Sequence, residues 1–239
     1  MGHSTAQLQS RLEKLMVMAI KSRTDKDWYR NSNWNPEIET RFFEKLRRAR
    51  DKAQYLKIQA ACLAATHPRE ALKLIEKFFE IGESLFIPDA YLAEANAYLT
   101  LGQNSEAVDS FKKALERERL VPSYKTTAWS EFALLVADRR LEPHFDEAVR
   151  VLAEHESNLM FASEFFACHG AYALIQAARG DQVVAKEHAV KALEAAKMGH
   201  SGLRYHPTAG LVGSEHKEIQ KKLRQLTRRN LLNALFPWL

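Results

Sequence analysis

Three histidines stand within seventeen residues, His200, His206 and His216, the first two inside the stretch KMGHSGLRYHPTAGLVG, residues 197–213. Imidazoles at that density are the ligand type of a zinc site, and Ser201 or Tyr205 beside them offers a hydroxyl to catalysis. The stretch holds no carboxylate, however, so nothing within it would orient a ligating imidazole or take up a proton. Histidines in a loop without such a partner read as surface residues. A loop this long in a helical protein reads better as a segment that contacts a partner or closes a groove. Elsewhere the chain carries no G-x-x-x-x-G-K-[ST], no G-x-G-x-x-G, no H-E-x-x-H and no cysteine pair at metal spacing. Cys62 and Cys168 each sit in an apolar stretch of helical character, which predicts two reduced, buried thiols. We therefore expect no catalytic residue, no metal and no cofactor.

Positive charge is the other chemistry that the sequence concentrates. Residues 41–52 and residues 215–239 each carry six basic and two acidic side chains, so the remainder is net negative although the whole chain is +5. Arg47, Arg48 and Arg50 fall in the first segment, and Lys221, Lys222, Arg224, Arg228 and Arg229 in the second. Trp28, Tyr29 and Trp34 lie close ahead of the first, and aromatics beside cations are what stacks on unpaired bases. An RNA- or DNA-binding helical protein is thus one reading. The other is that the basic residues lie on solvated helix faces and the aromatics cover one end of the core.

Those side chains must be positioned by helices. Of 239 residues, 46% are apolar and 27% charged, with only nine Gly and seven Pro, too few for a turn-dense β-protein. Ala, Leu, Glu, Lys, Arg and Gln dominate, all good helix formers, so the expected class is all-α. No run of 18 apolar residues occurs, and the apolar run 15–20 is too short for a signal-peptide core, so a soluble, cytoplasmic protein is expected, with no membrane partner. Residues 7–21 read as a helix with Leu8, Leu12, Leu15 and Ala19 on one face. The linker DKDWYRNSNWNP follows, and Pro36 with Glu37 suits the first turn of a helix running through Phe42, Phe43 and Leu46. At the far end, residues 215–235 return to helix, with Ile219, Leu223, Leu226 and Leu231 on an apolar face.

Between these ends a unit repeats. Its clearest copy is DAYLAEANAYLTLGQNSEAVDSFKKALE, residues 89–116. Tyr91, Ala95, Tyr98 and Leu99 form one helical stripe, Gly102 stops that helix, and Ser105 is the expected N-cap of a second helix striped by Ala107, Phe111, Ala114 and Leu115. The small Ala95 and Ala107 allow close approach of the two helices. The same sixteen-residue interval recurs from Tyr55 to Ala71, from Phe132 to Ala148 and from His169 to Ala185, which spaces the four alanines by 36, 41 and 37 residues. Thr66-His67-Pro68 replaces the turn glycine in the first copy and Glu142-Pro143 in the third, while Gly180 restores it in the fourth.

Tyr91, Ala95, Tyr98, Gly102, Ala107 and Phe111 resemble the signature positions of the tetratricopeptide repeat (TPR) family, with Glu94 at a place usually held by Leu and Pro122 three residues late. The resemblance implies an α-solenoid of four helical hairpins over residues 37–196. Around them stand an N-terminal helix and aromatic linker (1–36), a Gly/His loop (197–213) and a basic helix (214–239), with the N- and C-terminal helices capping the stack. It also implies a concave groove for an extended peptide or a helix of another protein. That groove would be lined by Leu56, Lys57 and Ala60, by Leu92, Asn96 and Leu99, by Ala133, Ala137 and Arg140, and by Ala171 and Leu174. The carboxylate clamp of some family members does not carry over, because only Asn96 matches it and Leu56 and Leu92 stand where lysines belong. The expected function is a non-catalytic interaction adaptor, taking an amphipathic or acidic-apolar segment against apolar residues with Lys57 and Arg140 as basic points. The partner's identity and the oligomeric state are left open by the sequence.

Overall fold

The computed structural model describes residues 27–235, with side chains to residue 228. Among them are ten α-helices and no strand: α1 Pro36–Arg48, α2 Lys52–Leu63, α3 Pro68–Phe79, α4 Ile87–Thr100, α5 Asn104–Leu120, α6 Ala128–Asp138, α7 Phe145–His155, α8 Ala162–Ala178, α9 Gln182–Ala195 and α10 Lys217–Leu235. The helix expected over residues 7–21 and the apolar tail 236–239 lie outside the described residues, as does the side chain of Leu231. No described helix is long and apolar enough to cross a membrane. The chain divides between Lys125 and Thr126 into two compact units.

In the first unit α2 packs against α1, α3 and α4, and α4 packs against α3 and α5. Helix α1 begins as its sequence predicts: Pro36 lies in the first turn and the Asn35 side chain accepts the Ile38 N–H at 2.9 Å. Its first turn holds Glu37 and Glu39 and its last Lys45, Arg47 and Arg48, so both ends suit the helix dipole. Phe42 and Leu46 go inward, to a core with Leu56, Ala60, Leu63, Leu74, Ile75 and Phe78. The linker ahead of α1 is held on α2 by a fully buried amide. The Gln59 side-chain oxygen accepts from the Asn31 backbone N–H (3.0 Å) and from Asn31 Nδ2 (2.9 Å), and its Nε2 donates to the Asn31 carbonyl (2.7 Å).

In the second unit α8 is central, packed against α6, α7, α9 and α10; α6 also holds α7, and α9 holds α10. Helix α10 follows a short 3-10 turn, Ser214–His216. It buries Leu223 completely, with Ile219 and Leu226 half-buried against Phe166, Ala173, Ala189 and Ala192. All four repeat alanines, Ala71, Ala107, Ala148 and Ala185, are 0% exposed. At such points a larger side chain would have to push helices apart.

The ends of α4, α6 and α8 share one geometry. Two residues past each helix the backbone turns left-handed, at Gly102 (φ 75°), Arg140 (φ 52°) and Gly180 (φ 92°). The next residue's N–H then reaches back to a carbonyl of the last turn, Gln103 to Tyr98 (2.9 Å), Leu141 to Val136 (2.9 Å) and Asp181 to Gln176 (3.0 Å). This satisfies carbonyls that a helix end otherwise leaves open. The turn in the third copy therefore falls on Arg140, ahead of Pro143, and Glu142–His144 forms a 3-10 turn before α7. Ser105 is not the N-cap of α5: the chain enters the helix two residues earlier, with Gln103 in that place. Its carbonyl accepts the Ala107 N–H at 3.1 Å.

Candidate functional site

In the first unit α2 and α4 border a cavity of about 340 Å³ lined by Lys57, Ile58, Ala61, Cys62, Ala64, Asp89, Leu92, Ala93 and Asn96. Helix α2 starts at Asp51, whose carboxylate accepts the Gln54 N–H at 3.0 Å. Its Leu56, Ala60 and Leu63 go into the core, which turns Lys57, Ile58, Ala61 and Cys62 toward the cavity. Helix α4 starts at Ile87-Pro88, both buried, and brings Asp89, Leu92, Ala93 and Asn96 to the other wall at helical spacing.

The polar groups of this cavity are largely spoken for. Lys57 Nζ lies 3.0 Å from Asp89 Oδ2 and 4.9 Å above the centre of the Phe86 ring. Tyr124, at the end of the unit, donates its hydroxyl to the same Asp89 oxygen. Burial, and then the Asp89 carboxylate beside it, push the Tyr124 hydroxyl far up, so it stays protonated. Burial also raises the Cys62 thiol, against a smaller opposing effect of Arg30, so that sulfur is a neutral wall rather than a nucleophile. What is left to an incoming group is an apolar floor of Ile58, Ala61, Leu92 and Ala93, the Asn96 amide, and an ion pair already neutralised within the protein.

Of the groove residues expected from sequence, Lys57, Leu92 and Asn96 come together here. Leu56 does not: it is 2% exposed and fills the core, because it shares the buried stripe of α2 with Ala60 and Leu63. Leu99 is half-buried one turn beyond the cavity. Arg140 belongs to the other unit, where it is the left-handed turn residue after α6, exposed, its Nε 2.8 Å from Glu142. Leu174, on α8, is half-buried against the cluster built on Phe166 and Leu223. Both residues taken as basic points are therefore ion-paired. Ile58, Ala61, Cys62 and Asp89 are additional lining residues. They stand at helical spacing from Lys57 and Leu92, which was the available signal. Tyr124 had none, since it lies 35 residues from Asp89.

The basic segments are arranged differently from one another. Arg47, Arg48 and Arg50 are exposed at the end of α1. On α10, Lys221, Arg224 and Arg228 are exposed, while Lys222 donates to the Asp138 carboxylate (2.7 Å) and carbonyl (3.1 Å); the Arg229 side chain lies outside the described ones. The aromatics beside the first segment are half-buried, packed against the core. Trp28 lies 4.9 Å from Tyr55 and 5.4 Å from Phe42, Tyr29 lies 4.7 Å from Tyr55, and Trp34 lies 5.6 Å from Phe42, centroid to centroid. Their rings complete the end of the core rather than stand free for bases to stack on.

The loop 197–213 holds itself together. The Ser201 N–H donates to the Pro207 carbonyl (2.8 Å) and its hydroxyl to the His206 carbonyl (2.6 Å), and the Gly202 N–H donates to His200 Nδ1 (2.9 Å). The Ser163 N–H at the start of α8 donates to the Gly210 carbonyl at 2.8 Å. Gly210 sits at φ 67°, and a Cβ there would lie 2.4 Å from the Phe161 ring, so only glycine fits. Tyr205 is 78% exposed, with the Arg204 guanidinium over its ring. Among the described residues no three His, Cys, Asp or Glu side chains converge in a way that would hold a metal ion. Compared with known proteins, the chain matches no family model, no curated protein and no solved structure.

Proposed function

We propose that this protein is a non-catalytic interaction adaptor of tetratricopeptide-like build, which takes a segment of a partner protein into the α2–α4 cavity of its first unit. The observation that carries this reading is the convergence of Lys57, Leu92 and Asn96 with Ile58, Ala61 and Ala93 around about 340 Å³ of space. That is at the lower end of the size of pockets that bind a compact group. Further support comes from the pairing of helices within each unit: α2 lies against α3 and also α4, and α6 against α7 and also α8, as first helices of stacked hairpins would. A stacked solenoid capped by α10 is part of the same proposal.

The chemistry of the cavity narrows the segment. With Lys57 held by Asp89, a carboxylate on the partner gains little there, so the fitting ligand is an apolar or amphipathic segment. It places one bulky side chain on Leu92 and a backbone amide against Asn96. The test is capture of partners from a lysate by the wild-type chain and by Leu92→Glu, with helicity followed by circular dichroism. Leu92 is only half-buried, so the variant should fold. A protein retained by the wild type, and retained at least about tenfold less by the variant, is the expected result. Equal retention by a folded variant overturns the assignment of the cavity.

Nucleic-acid binding is the second reading, and the exposed Arg47, Arg48 and Arg50 together with Lys221, Arg224 and Arg228 favour it. Retention that disappears on nuclease treatment would replace the adaptor reading with this one.

A further inference from the structure

Two imidazoles meet where α9 packs on α8. His169, 8% exposed, and the half-buried His188 bring their Nδ1 atoms to 3.1 Å, with ring centroids 5.1 Å apart. Phe165 lies beside His169, 6.4 Å between centroids, and Tyr172 lies against His188 at 4.8 Å. The charges that act on the pair are Lys191 and Glu187 of α9 and Glu156 of the turn between α7 and α8. Cys168 and Tyr172 are the neighbouring titratable groups on α8, and burial pushes both up to about 12, so they stay neutral throughout the acid range.

The proton inventory of such a contact is short. Two Nδ1 atoms at this distance hold one proton between them, one ring donating and the other accepting. A first added proton goes to the outward Nε2 of the donating ring and leaves the bond in place, now charge-assisted. A second has only the accepting Nδ1 to go to, since that ring already carries its hydrogen on Nε2. It would set two N–H groups and two positive charges against each other in a contact walled by aromatic rings.

We propose that the His169–His188 pair is an acid-operated latch between α8 and α9, closed by a single shared proton and opened by the second. The direction of its pH dependence follows from the surroundings. Burial first, then the neighbouring imidazole and Lys191 for His169, or Lys191 alone for His188, hold both rings below their ordinary 6.5, with Glu156 opposing. An opened or unfolded α9 exposes imidazoles that take up protons near 6.5, whereas the closed pair takes them up only at lower pH. The contribution of the latch is therefore complete above about pH 6.5 and is lost as the pH falls through the lowered values. Where opening binds two protons, the opening constant rises by up to about a hundredfold per pH unit.

Hydrogen exchange on the full chain tests this. After correction for the intrinsic exchange rate, opening of Gln182–Ala195 should increase at least about tenfold between pH 7.5 and pH 5.5, with exchange in α2 as the reference. In His169→Phe and in His188→Phe, which keep a ring but no nitrogen, that increase should fall to what the one remaining buried imidazole contributes, at most about half of it on a logarithmic scale. In the wild type, both imidazoles should titrate by NMR below 6.5 and in coupled fashion. The latch is overturned if α9 is equally protected at both pH values, or if folded phenylalanine variants keep the wild-type pH dependence. Should both variants fail to fold, the wild-type titration decides: two independent imidazoles titrating at the ordinary value refute it.

Discussion

Gln59 shows how much one side chain organises. It is fully buried, and its amide takes three hydrogen bonds from and to Asn31, which seats Trp28, Tyr29 and Trp34 on the core. Replacing it with Ala strips two half-buried backbone groups of Asn31 of their partners. Gln59→Ala should therefore cost about 2–3 kcal/mol in urea unfolding and increase the solvent exposure of tryptophan fluorescence. A loss under about 0.5 kcal/mol would mean that the linker is held by its rings alone. At this scale the sequence was a partial guide. Leu92 and Asn96, expected in the groove from the family resemblance, line the cavity, but Leu56, expected there with them, stood one step from Lys57 and belonged to the core face. A helix turns 100° per residue, so one position decides between core and cavity.

At the scale of elements the turns carry the information. Gly102 and Gly180 take the left-handed conformation without strain, and Arg140 does the same work against the crowding of its Cβ. Arg140→Gly should accordingly stabilise the protein by about 1 kcal/mol, since the exposed Arg140–Glu142 pair that it removes contributes little. An unchanged or lowered unfolding midpoint would show that the α6–α7 turn is relaxed. Sequence spacing placed the break of the third copy at Glu142-Pro143, and proline does begin the 3-10 turn there. The reversal itself came earlier, at a residue whose type carries no turn signal. The backbone is bent there because α6 and α7 must pack, not because Arg140 prefers it.

For the whole molecule, the distribution of charge separates the two readings of function. The cavity has its one cation paired with Asp89, so binding of a partner there should change little between low and high salt. A nucleic acid held by α1 or α10 would instead lose affinity steeply, by roughly 0.7 in the log–log slope for each single-strand phosphate contacted. Measuring the captured ligand's affinity at several ionic strengths distinguishes them, and a steep slope would count against the cavity. The helical class was readable from composition and from the periods of the apolar residues, because those are local properties repeated many times along the chain. So were the four alanines, since sixteen-residue spacing and small size recur where helices approach. Contacts between residues far apart in the chain were not readable: Gln59 with Asn31, Tyr124 with Asp89, Lys222 with Asp138 and His169 with His188. Each pairs residues 19 to 84 positions apart, and no local pattern records a partner at that distance. Periodicity decides which face of a helix turns inward; which side chains then meet, and therefore where charge is cancelled and where space is left, is decided only when the helices pack.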